Sequence, residues 1–285
     1  MKTPWPALAF AVLLAGGAVV RGQTSADADM RPSLQDVAYG PARAQRFDVY
    51  APLQVHGAPT VFFVHGGGWA FGDKSTGIGA KARHWTAAGA FVVSVNYRML
   101  PDADPLAQAR DVARALARAQ ATIAQAGGDA EGFVLMGHSA GGHLVALLDA
   151  SPALARDAGA RAWRASVLLD AGSVDVAATM RSPRGDMRLF RNAFGEDPAF
   201  WQRVSPMHQL SARTAPILAV CAAGRADSCP ANRAFVDRAA SYGTRAALLS
   251  EPLNHLQINR DLGGDNAYTR EIDGFLRDVG GLPAR

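Results

Sequence analysis

Four short runs of this 285-residue chain are almost wholly apolar: residues 60–64, 91–95, 133–136 and 216–220. Each is rich in β-branched and aromatic side chains. A strand with one wet face alternates apolar and polar residues. An unbroken apolar run of this length instead marks a strand buried on both faces, as in a parallel sheet covered by helices. Weaker runs of the same kind lie at 46–50, 166–169 and 245–249. Between them, residues 105–125, 140–148, 231–242 and 268–279 carry helical patterns, the first with apolar spacing near 3.6. Alternating strands and helices predict an α/β fold around a mainly parallel sheet.

One stretch breaks the alternation. Residues 175–213 contain Met180, Phe190, Phe194, Phe200, Trp201 and Met207 but no clear strand. They predict a helical insertion over the carboxyl edge of the sheet, where such folds bind ligands. The aromatics suggest an apolar pocket.

The composition is that of an ordinary globular protein, 49% hydrophobic and 19% charged, which excludes disorder and coiled coil. The formal charge of +4 is spread over dispersed arginines and three lysines, with no basic block, and argues against a nucleic-acid partner. Lys2 precedes an uncharged apolar run over residues 7–20. This pattern predicts a signal peptide over residues 1–22 and a polar tether over 23–30, followed by one catalytic domain from 31 to 285. The run is shorter than the roughly 20 apolar residues of a membrane span, so no stable anchor is expected after cleavage. Export to the periplasm or beyond the cell would place Cys221 and Cys229 in an oxidising compartment. Their spacing matches no zinc site. Either they form a short disulfide that clamps the intervening loop, or one is a buried thiol and the other a loop thiol.

Gly137-His138-Ser139-Ala140-Gly141 joins the buried run at 133–136 to the helical pattern at 140–148. A serine on a tight strand-to-helix turn is pushed above the sheet edge, and G-x-S-x-G in this setting marks a nucleophile. A Gly-rich helix start with Ser139 as its cap is the plainer reading of the motif alone. His65-Gly66-Gly67-Gly68-Trp69 follows the run at 60–64. Three successive glycines are costly to order, and they suit a loop whose bare N–H groups converge on a ligand oxygen. The expected oxyanion donors are the amides of Gly67, Gly68 and Ala140. His65 is expected to orient the loop, and Trp69 to line the substrate pocket as its floor or wall.

Serine needs a base. Three histidines follow Ser139. His143 lies in the same helix, and His208 lies in the insertion beside Pro206. His255 follows the last strand pattern and is the expected base. The acid that orients it is expected at Asp227, after the run at 216–220; the rivals are Asp170, Asp175 and Glu251. Gly72-Asp73-Lys74 is expected to close the oxyanion loop with a local ion pair, and Asn96-Tyr97-Arg98 to fix that loop by hydrogen bonds. His138 and His143 do not share a helix face and suggest no zinc site. Asp102 and Asp104 are read as solvated acids. No metal or organic cofactor is implied.

Taken together, these residues resemble the α/β-hydrolase superfamily of serine esterases, and within it the secreted carboxylesterase and feruloyl-esterase-like branch. That branch grades into kynurenine formamidase-like and hormone-sensitive-lipase-like hydrolases. The resemblance is carried by residues 65–69, Gly72-Asp73-Lys74, 94–98, 137–143, Ser205-Pro206, 224–227 and His255, and it spans about residues 45 to 279. It implies about eight strands, a Ser-His-Asp triad, and cleavage of small carboxylic esters through an acyl-enzyme. His138 stands where the lipase group usually has an acid, which favours the feruloyl-esterase and formamidase-like branch. An arylformamidase using the same triad is the first alternative. A hydrolase-fold binding protein without catalysis is the second.

Overall fold

The computed structural model describes residues 30–182 and 187–284. The leader expected over residues 1–22, and all of the expected tether except Met30, lie outside the described residues.

Eight strands form one sheet: β1 Leu34–Ala38, β2 Arg46–Tyr50, β3 Thr60–Val64, β4 Phe91–Val95, β5 Phe133–His138, β6 Ala165–Leu169, β7 Ile217–Ala222 and β8 Ala246–Glu251. Their order is β1-β2-β4-β3-β5-β6-β7-β8. Strands β1 and β2 run antiparallel to their neighbours, and the other pairs are parallel. This is the α/β-hydrolase fold. The helices are α1 Gly79–Ala87, α2 Pro105–Gln125, α3 Ala140–Ala150, α4 Ala153–Asp157, α5 Val176–Arg181, α6 Arg188–Phe194, α7 Pro198–Arg203, α8 Pro206–Gln209, α9 Ser228–Ser241, α10 His255–Arg260 and α11 Ala267–Asp278.

Both faces of the sheet are covered, as the unbroken apolar runs require. Along β3, Phe62 and Val64 join one core with Val112, Leu116 and Ile123 of α2, Leu144 of α3 and Phe235 of α9. Val61 and Phe63 point the other way, into a core with Trp85 of α1 and Ile272 and Leu276 of α11. Helix α2 starts at Pro105 with the Asp104 side chain accepting the Ala107 amide, so a proline and a capping acid fix its start. The alignment of Val64 with Gly137, and of His138 with Leu169, brings the carboxyl ends of β3, β5 and β6 together.

The expected insertion is present as α5 to α8. Met207 donates to the Val174 carbonyl and Val176 to Ser205 Oγ, which stitches the insertion onto the chain leaving β6. Among the described residues, no helix is long and apolar enough to cross a membrane.

Candidate active site

Ser139 sits between β5 and α3 with φ 54° and ψ −119°, a conformation that side-chain-bearing residues rarely adopt. The turn is possible because its flanks carry no Cβ. A Cβ on Gly137 would lie 2.4 Å from the Gly141 carbonyl oxygen, and one on Gly141 would lie 2.2 Å from that of Val64. The Ser139 amide donates to the Leu169 carbonyl, and Gly172 donates back to Ser139 O. The nucleophile candidate is thereby tied to the end of β6.

His255 opens α10 directly after the β8 loop. Asn254 caps this helix by accepting the amides of Leu256 and Gln257, while Gln257 Oε1 accepts the Asn254 amide. This reciprocal cap fixes the backbone on both sides of His255. Ser139 Oγ lies 3.0 Å from His255 Nε2, and His255 Nδ1 lies 2.5 Å from Asp170 Oδ2. With the proton on Nδ1, that nitrogen donates to the carboxylate and Nε2 is left to accept from the serine.

Asp227 is the acid expected from the sequence, and the structure corrects this. The Asp227 side chain is 63% exposed and pairs with Arg225 Nη2 at 3.2 Å. Asp170, one of the rivals, stands in its place at the end of β6, fully buried. Its Oδ1 accepts the Ala222 amide and the Ser228 hydroxyl, and its Oδ2 accepts His255 and Arg225. Burial alone would raise its carboxyl. The bonds from His255 and Ser228, the Arg225 charge and the Ala222 amide outweigh burial and hold it well below the usual carboxylate range. The sequence signal for Asp170 is a lone acid directly after a buried apolar strand. The other rivals fall elsewhere: Asp175 caps α5, and Glu251 ends β8.

The glycine loop lies against the serine. A Cβ on Gly66 would be 3.0 Å from Ser139 Cβ. Gly67, Gly68 and Trp69 have φ of 126°, 58° and 60°. The chain therefore doubles back, and Ala70 and Phe71 both donate to the Gly67 carbonyl. His65 orients the loop as expected: its Nδ1 donates to Gly66 O, its ring stacks on Tyr97, and its carbonyl accepts the Tyr97 hydroxyl.

Trp69 is 1% exposed, so it offers no surface to a substrate and corrects the expectation that it binds one. It lies beneath the insertion, edge-on to Phe194 at 4.7 Å, and donates from Nε1 to His143 Nδ1. His143 donates in turn to Val204 O. Burial pushes the His143 imidazolium down to about 4, so the ring is neutral in this chain of bonds. Above the loop, Leu189 reaches to 2.5 Å from where a Gly68 Cβ would be and remains partly exposed.

The Gly72-Asp73-Lys74 segment does not close on itself. Lys74 pairs with Asp48 and Asp36, while Asp73 accepts from Ser75 and Asn96. Asn96-Tyr97-Arg98 does fix the loop: Asn96 Oδ1 accepts the Lys74 amide, and Arg98 grips the buried Asp111. Cys221 and Cys229 form a disulfide that closes the loop carrying Arg225 and Asp227.

A family model described as BD-FAE matches residues 47–229. The chain belongs to the BD-FAE family. The matched region includes Ser139, Asp170 and Asp227 but ends before His255. The position of that histidine is therefore read from the fold. Among curated proteins, this BD-FAE chain is similar to a kynurenine formamidase of Danio rerio, 32% identical over 138 residues, 48% of this chain and 45% of the relative. It is also similar to the carboxylesterase NlhH of Mycobacterium tuberculosis, 36% identical over 110 residues, 39% of this chain and 34% of the relative. The chain thus spans less than half the length of these relatives. Among solved structures, the apo form of Thermogutta terrifontis esterase 2 superposes with a TM-score of 0.73 at 21% identity, covering 89% of this chain and 97% of that one. A truncated carbohydrate esterase from gut microbiota gives 0.77 at 19% identity, covering 90% and 99%.

Proposed function

We propose that this protein is a serine hydrolase that cleaves small carboxylic esters through an acyl-enzyme. The observation that carries the reading is the pair of contacts on one imidazole: Ser139 Oγ at 3.0 Å from Nε2 and Asp170 Oδ2 at 2.5 Å from Nδ1 of His255. In the first step Ser139 Oγ attacks the ester carbonyl carbon while its proton passes to His255 Nε2. The carbonyl electron pair moves onto oxygen and faces the amides of Gly67, Gly68 and Ala140; one such donor is worth about 10²–10³ in rate. Asp170 stabilises the imidazolium and fixes its tautomer. The tetrahedral intermediate then expels the alcohol, which takes the proton from Nε2. Water repeats the sequence on the acyl-enzyme, releasing the acid and restoring the serine.

Similarity to a kynurenine formamidase supports a second reading, in which the scissile bond is that of an aryl formamide. Leu189 above the glycine loop, and Phe71 and Leu256 exposed near the loop and the base, favour an apolar substituent on the substrate. Secretion or a periplasmic location fits the leader pattern and the Cys221–Cys229 disulfide. The test is turnover of p-nitrophenyl acetate to decanoate, methyl ferulate and N-formylkynurenine, with Ser139→Ala as control. Ester turnover lost in the control supports the first reading, and a preference for the formamide supports the second. A protein that turns over none of these and is not labelled by a fluorophosphonate is a binding protein.

A further inference from the structure

Arg225 takes no part in the proton transfers above, yet its guanidinium reaches the centre of the site. It stands on the loop between β7 and α9, closed at its base by the Cys221–Cys229 disulfide. Arg225 Nη1 donates to Asp170 Oδ2 at 2.7 Å and lies 3.0 Å from His255 Nδ1. Arg225 Nη2 reaches back to Asp227 at 3.2 Å. The guanidinium is a rigid planar fork, so these two anchors fix its orientation.

The same carboxylate oxygen takes one bond from His255 and one from Arg225, so the arginine holds Oδ2 where the imidazole needs it. Nδ1 is also a donor, so no hydrogen bond joins it to Arg225; a cation simply sits against the ring. Arg225 therefore acts on the imidazole through the Asp170 carboxylate. The other charged or titratable groups around this point are Asp170 from β6, Asp227 from the loop and His138 from β5, whose ring lies 4.6 Å from that of His255.

We propose that Arg225 is a positioning residue of this site, which holds the Asp170 carboxylate where His255 needs it. This rests on the reading of Ser139, His255 and Asp170 given above.

The test is the steady-state kinetics of a p-nitrophenyl ester on the full chain, with active sites counted by a fluorophosphonate. In Arg225→Met kcat per active site falls about tenfold while KM stays within about twofold of the parent. Arg225→Lys keeps a donor to the carboxylate and restores kcat to within about threefold. An unchanged kcat in Arg225→Met overturns the proposal, as does a lysine variant that loses as much as the methionine one. If Arg225→Met does not fold, Arg225→Gln takes its place with the same expected fall, and an unchanged kcat there overturns it. Full turnover by Ser139→Ala would instead bring down the reading of the site itself.

Discussion

His138 and His255 are joined through the backbone of one and the ring of the other: His138 Nε2 donates to the His255 carbonyl at 2.9 Å. Burial, and then the neighbouring His255, push the His138 imidazolium down to about 3, so this ring is a neutral donor at working pH. The residue before Ser139 thereby holds the loop that carries His255. Replacing His138 with Ala removes that tether. The expected result is a ten- to hundredfold fall in kcat/KM with Ser139 and Asp170 intact, since a displacement of about 1 Å can cost 10²-fold. An unchanged kcat/KM would show that the capped start of α10 alone places His255.

The two candidate acids separate cleanly by substitution. Asp170→Asn leaves the shape of the site but removes the charge opposite Nδ1, and kcat should fall by about 10³–10⁴. Asp227→Asn should keep kcat within about threefold of the parent, because its carboxylate faces solvent beside Arg225. Steady-state kinetics on both variants decide the matter, and the reverse pattern would return the role to Asp227.

Two glycines should answer alanine in opposite directions. In Gly141→Ala the new Cβ would meet the carbonyl oxygens of Val64 and His65 at 2.2 and 2.4 Å, which are backbone atoms that cannot swing aside. A loss of at least about 2–3 kcal/mol is expected, together with activity. Gly274 lies on the exposed side of α11 with nothing within 4 Å of its added Cβ. Gly274→Ala should stabilise by about 0.5–1 kcal/mol. Denaturant melts of the two variants give both numbers.

Asp149 supplies a pH dependence of stability. It lies at the far end of α3, fully buried, with Oδ1 accepting from Trp163 and Ser166 and Oδ2 without a partner. Burial pushes it up to about 7 against those hydrogen bonds. Between the ordinary carboxylate value of the unfolded chain and that point, the folded chain binds the extra proton. Stability from this group therefore falls as pH rises through the window and is lost above it. The effect is at most a few kcal/mol, because each pH unit of that window is worth about 1.4 kcal/mol. Asp149→Asn should flatten the fall, so its melting temperature relative to the parent improves from about pH 5 to about pH 8. No change in that difference would show that Asp149 is ionised in the fold throughout.

Much of this architecture is legible in the residues themselves. The boundaries of β2, β3, β4 and α2 match their apolar patterns residue for residue, because those segments are buried where the pattern says. Strand β1 is missed because it is a mostly exposed edge strand in which Gln35 and Asp36 interrupt the apolar residues. Helix α1 is missed because Lys81 sits in its buried stripe and breaks the apolar spacing. Ser139 and His255 are readable from local motifs and chain order. The partner acid is not, since Asp170 and Asp227 both follow buried strands. What separates them is where each lies: Asp170, at the end of β6, is buried against His255, while Asp227, ahead of α9, faces water. Nor does a glycine-rich motif reveal that the tryptophan ending it will be covered by a distant helix.

All eleven residues of α3 are buried, whereas α7 in the insertion has no buried residue at all. The nucleophile candidate is thus mounted on a helix buried along its whole length, and the walls around it are built from parts that can be redrawn at little cost. Related chains could change those walls by editing four short helices while the contacts among Ser139, His255 and Asp170 stay as they are.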